Sequence, residues 1–161
     1  MDIPSVSPEG EIPARNKKEW STVIRDVDDG VRFEVSRLVA GIAHLCADSF
    51  YDTLLSNPEA AIYISSETVH ERLHTALTNW LIFLFPENQP DVDALISLQE
   101  RVGVAHARMR IPMTLVLQGI RTLKQTLRRR LFELDMSRDR LLAALSYMMT
   151  IVLKKPCCDC G

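Results

Sequence analysis

Two patterns in this sequence place imidazoles where they could act on a metal. His106 lies in the segment Val104-Ala-His-Ala-Arg-Met-Arg-Ile-Pro112. On a helix advancing about 100° per residue it falls about 40° from Val102 and within roughly a turn of Leu98 and Met109, so it points to the apolar side. A histidine aimed at a core needs partners for its ring nitrogens. A carbonyl or carboxylate can supply them, or one nitrogen can hold an iron as the proximal histidine of a haem protein does. The residues alone leave both open.

The second pattern, His70-Glu-Arg-Leu-His74, has the spacing by which two imidazoles and a glutamate form a hydrolytic zinc site on a helix. Here both histidines flank an apolar stripe of Val69, Leu73 and Leu77. With no convincing third ligand and no strand to hold a peptide, they read as surface histidines. His44, two turns before Tyr51, reads as a buried or half-buried histidine with satisfied nitrogens, the edge of a cofactor being the other option. Cys157, Cys158 and Cys160 offer three thiols without a fourth ligand, an incomplete zinc set, and read as a tail or linker fragment. Arg128-Arg-Arg130 reads as a solvated helix face. Glycine-rich phosphate loops, nucleophile elbows and paired inward carboxylates are absent from the sequence.

The elements that must position these groups are helical throughout, and the fold class is all-α. Residues 1–16 are rich in proline, show no apolar period and read as a disordered leader, with a domain over 17–154 and a tail over 155–161. A short helix over 19–27 is anchored by Trp20 and Ile24. A long one over 29–56 carries Phe33, Leu38, Ile42, Leu45, Cys46, Phe50 and Leu54 on its apolar side, and Asn57-Pro58 ends it. After a helical turn over 59–63, Ser66 is expected to cap a helix that runs to Pro86. Asp91 caps the next, which carries His106 and ends at Pro112. Then follows a stripe of Met113, Val116, Leu117, Ile120, Leu123, Leu127 and Leu131. The last helix, capped by Ser137 or Asp135, is apolar on two sides. It must be central to the core or shared with a partner chain.

Composition narrows the function classes. The chain has 161 residues, 47% hydrophobic and 25% charged, with a net charge of −2. That suits one globular domain and argues against disorder. It gives no electrostatic case for nucleic acid. The longest apolar run, Trp80 to Phe85, is far short of the roughly 20 residues that span a bilayer, and a signal-peptide pattern is lacking, so a cytoplasmic location and no membrane partner are expected.

Several segments together carry a family resemblance: Leu95-Ile-Ser-Leu-Gln, the His106 segment, Leu117-Gln-Gly-Ile-Arg-Thr-Leu-Lys124, and Ile64-Ser-Ser-Glu-Thr-Val-His-Glu-Arg-Leu73 upstream of Trp80. In this order they resemble the globin domain of globin-coupled sensors, particularly those attached to diguanylate cyclases. The likeness extends over about residues 17–153. It implies a globin fold of the sensor type, haem b with His106 as proximal iron ligand, and a diatomic gas on the opposite face: O2, with CO and NO as further ligands. It implies that Tyr51, in Phe50-Tyr51, donates a hydrogen bond to bound oxygen, and that Leu73 shapes the distal pocket and gates water. A homodimer through the last two helices and an output domain of the cyclase type outside this sequence are implied as well. The domain itself is then a non-enzymatic oxygen sensor. A haem enzyme such as a dioxygenase or pseudo-peroxidase, and a haem-free helical interaction module, are the rival readings.

Overall fold

In the computed structural model, residues 11–153 are described, and they form helices joined by short turns, with no strand among them. Residues 1–10 of the expected leader, and Cys157, Cys158 and Cys160, lie outside the described residues. Helix α1 (Glu11–Asp26) begins earlier than the apolar spacing suggested, inside the stretch read as leader. Pro13 falls in its first turn, where a backbone N–H has no helical partner to lose.

The corner between α1 and α2 (Asp29–Leu55) is tied by one buried arginine. Arg32 donates from Nη2 to the carbonyls of Ile24 and Val27, at 3.1 and 3.2 Å, and from Nη1 to Asp29 at 2.6 Å. It thereby satisfies carbonyls that the end of α1 would otherwise leave unpaired. Asp28 caps α2 by accepting from Val31 N at 2.8 Å.

A 3-10 turn (Ala60–Ile62) leads to a composite helix: α3 (Ser66–Thr68), a π-turn (Val69–Leu73) and α4 (His74–Leu84). Its cap is Ser65, whose Oγ accepts from Thr68 N at 3.1 Å, one residue before the expected Ser66. Either serine has the right chemistry, but Ser65 has the extended backbone a cap requires, with φ −112° and ψ 157°. Helix α5 (Val92–Arg108) is capped by Asp91 as expected, and Pro112 opens α6 (Met113–Leu131). Ser137 precedes α7 (Arg138–Leu153), with its Oγ 3.4 Å from Arg140 N.

The core runs through the middle of this assembly. Helix α2 buries Val31, Val35, Val39, Ala43 and Cys46 against α4, α6 and α7, while Phe33, placed on the inner side by spacing, is 43% exposed. The helix is apolar on more than one side, so its period fits two faces and packing chooses between them. Trp20 and Ile24 of α1 are buried, each contributing about 1.5–3 kcal/mol relative to an exposed position. Helix α7 is central, with Ala144, Tyr147, Met148 and Ile151 fully buried, yet Leu142 stands out at 51% exposure. Leu123, Leu127 and Leu131 of the expected α6 stripe are buried, but Met113 and Leu117 are exposed, because α6 is rotated to turn Leu115 and Gly119 inward beside them. No helix among the described residues is long and apolar enough to cross a membrane.

Candidate functional site

The C-terminal end of α5 fixes the backbone of His106. Ile111 N donates to the His106 carbonyl at 3.2 Å and Arg110 N to that of Ala107 at 3.0 Å, the paired bonds of a Schellman motif. The motif requires a left-handed residue between them, and Arg110 provides it at φ 53°, the only positive φ among the described non-glycine residues. Pro112 then fixes the start of α6. His106 is thus held two residues before Arg108, the last residue of α5, and is half-buried. Gln99, seven residues earlier and so on the same face of α5, is buried with its side-chain amide nitrogen lacking a hydrogen-bond partner among the described residues. Such a donor is costly to leave unmade.

Across the fold, α2 and the π-turn bring Tyr51 and Leu73 together. The Tyr51 hydroxyl donates to the Leu73 carbonyl at 3.2 Å. Burial pushes its phenol up to about 12, so the group stays protonated and remains a donor throughout the neutral range. Its neighbour Phe50 meets it edge-on, with ring centroids 4.8 Å apart and planes at 79°. Phe50 in turn lies over Gly119 of α6. Helix α4 is tied to the same face of α2 by His74, whose Nε2 lies 2.6 Å from Asp48 Oδ1.

The apparent zinc motif dissolves in this geometry. His70 is exposed while His74 pairs with Asp48, and the π-turn between them breaks the i, i+4 alignment that the spacing assumes. No group of three or more His, Cys, Asp or Glu among the described residues is arranged to hold a metal ion. His44 is exposed rather than buried: it lies about 100° round α2 from the face that Ala43, Cys46 and Ala47 turn inward, on the side that carries Tyr51.

His106 stands apart from the other two candidates. Helix α5 packs chiefly on α1, and no substantial packing joins it to α4 or to the π-turn. Two features escaped the sequence reading. Gly119 carried a faint signal, as an interior helical glycine in a chain with only six. The π-turn carried none.

Against known families, the protoglobin model matches residues 34–153. The chain belongs to the protoglobin family. Among curated relatives, this protoglobin is 32% identical over 123 residues, 76% of its length, to the diguanylate cyclase DosC of Escherichia coli strain K12. The match spans 27% of DosC, about a quarter of that protein. Among solved structures, it superposes on the globin domain of E. coli DosC in the ferric form with a TM-score of 0.79 and 28% identity, covering 86% of this chain and 93% of that one. The ferrous form gives 0.78 and 29%. The globin domain of the Geobacter sulfurreducens globin-coupled sensor gives 0.71 at 21% identity, over 84% of this chain and 89% of the other, a likeness of fold. The protoglobin chain is therefore an all-helical sensor globin, similar to the globin portion of a diguanylate cyclase.

Proposed function

We propose that this domain binds haem b and senses oxygen, with CO and NO as further ligands, and that it governs an output of the diguanylate cyclase kind in a longer protein. The observation that carries this reading is the Tyr51–Leu73 pair, which sets a single protonated hydroxyl against a leucine of the composite helix, while His106 occupies the end of a helix that has no substantial packing on that one. The donor set fits the group. It comprises one imidazole for the iron, one hydroxyl for a gas ligand, and an unpartnered Gln99 amide on the imidazole's own helix face as a donor for an anionic substituent.

When bound, haem would supply a ferrous iron that takes up a diatomic gas. His106 would hold the iron, its backbone fixed by the Schellman motif. Tyr51 would donate to the gas, favouring polar oxygen over nearly apolar CO. Leu73 would limit water beside the ligand.

The finer reading includes a homodimer through α6 and α7. Its support is an open groove of about 400 Å³ lined by Leu117, Ile120 and Met149, with Arg121, Lys124 and Arg128 beside them, on the side of α6 opposite Gly119. The absorbance spectrum of the purified protein, recorded in air before and after reduction, tests the central claim. Haem bands that shift reversibly with oxygen are expected; a colourless protein overturns it, and net turnover of the gas would make the domain a haem enzyme.

A further inference from the structure

Tyr51 has one hydroxyl hydrogen, and in this structure it is already committed to Leu73. Leu73 closes the π-turn, an uncommon conformation that concentrates where helices have functional work, and α4 begins at the next residue. The junction is fastened to α2 twice, through consecutive residues: Tyr51 to the Leu73 carbonyl, and Asp48 to the His74 ring at 2.6 Å. Asp48 and Tyr51 are three apart and share one helix face. Removing the first fastening leaves the second as a pivot.

We infer that the Leu73 carbonyl is the resting acceptor of the Tyr51 hydrogen, and that only a gas polar enough to take that hydrogen releases the π-turn from α2. The inference rests on the haem-binding reading above. Hydrogen bonds to a charged acceptor are roughly twice as strong as those to a neutral one. An oxygen ligand that gathers negative charge from the iron outcompetes a backbone carbonyl for the proton. Carbon monoxide, nearly apolar when bound, does not. Oxygen and CO therefore fill the same position but leave the composite helix in different states: tethered twice with CO, once with oxygen. Gas discrimination is then written into the backbone of the π-turn as well as into affinity, which is what a sensor needs for its output to ignore CO.

The sequence permits a direct test. Leu73-His74 is the only Leu-His dipeptide in the chain, so labelling leucine with carbonyl 13C and histidine with 15N singles out the Leu73 carbonyl in the intact haem protein. In NMR spectra under CO, its resonance is expected at a hydrogen-bonded position; under oxygen it should move upfield, as a carbonyl does on losing a donor. In Tyr51→Phe the two gases should give one resonance, near the oxygen position of the parent. Coincident resonances under both gases in the parent, or a gas difference that survives in Tyr51→Phe, would overturn the inference while leaving haem binding intact. Failure of the protein to take up haem, seen in its absorbance, would remove the underlying reading instead.

Discussion

The ring of Phe50 rests on Gly119 so closely that a Cβ there would come within 2.3 Å of Cε2 and 2.6 Å of Cζ. This contact sets how near α2 and α6 approach, and it backs the residue that precedes Tyr51. Gly119→Ala would gain about 1 kcal/mol of helix propensity. The clash costs more, typically about 1–3 kcal/mol when a packed ring must move. A net loss of stability in chemical denaturation is expected, with faster oxygen dissociation as Phe50 carries Tyr51 away. Phe50→Leu in the same chain should recover most of the stability, and a double-mutant cycle showing no coupling would contradict the account.

His106→Ala should abolish stoichiometric haem retention or leave a site that added imidazole restores. Haem content and absorbance measured with and without imidazole decide this, and an unchanged spectrum would rule out the ligand assignment.

For Tyr51→Phe the ring and its packing stay, and only the donor goes. Oxygen affinity should fall by about 5- to 150-fold, equivalent to about 1–3 kcal/mol, mostly through faster dissociation. CO binding should change much less. Stopped-flow dissociation within about twofold of the parent would mean that another group, or none, holds the ligand. Leu73→Ala should admit water and speed oxidation of the iron while sparing the donor.

Arg110 bears a left-handed strain of about 1–2 kcal/mol. Arg110→Gly relieves it at an unfolded-state entropy cost of about 0.5–1 kcal/mol, so the variant should be more stable by up to about 1 kcal/mol, with haem content unchanged. Arg110→Ala keeps the strain and should gain nothing. Equal melting temperatures for the glycine and alanine variants would refute this.

Alkaline pH should destabilise the fold. Burial pushes Tyr51 and the fully buried Tyr147 up to about 12 from an ordinary value of 10.0, and Cys46 up to about 11 from 9.0. Each group is neutral in the fold and ionises more readily once unfolded. The stability they contribute is fully present below their unfolded values and is lost as pH rises from about 9 to about 12. Tyr147→Phe should flatten the upper part of that decline in denaturant melts. A slope identical to the parent's would exclude Tyr147 as a contributor.

The sequence by itself determined the caps that open α5 and α6 and which histidine was worth pursuing, but not the start of α1 or the cap of the composite helix. Asp91 and Pro112 act on backbone groups within three or four residues of themselves, and such short-range chemistry is fully contained in the local order of residues. The segments around His106 and Leu73 carried the family, and the comparisons agree.

Tertiary structure decided what touches what. Tyr51 and Leu73 lie 22 residues apart, and their hydrogen bond exists only because α2 crosses the composite helix at that depth and the π-turn rotates Leu73 to meet it. The turn also separates His70 from His74, undoing a zinc motif that assumed a regular helix. Phe33 turned outward and Val35 inward because the two-sided apolar α2 satisfies either register, and the single stripe of α6 is rotated so that Leu117 faces out and Gly119 in; only close packing selects these orientations. Periodicity encodes a face; which neighbour that face meets is settled by the volumes and crossing angles of every helix at once.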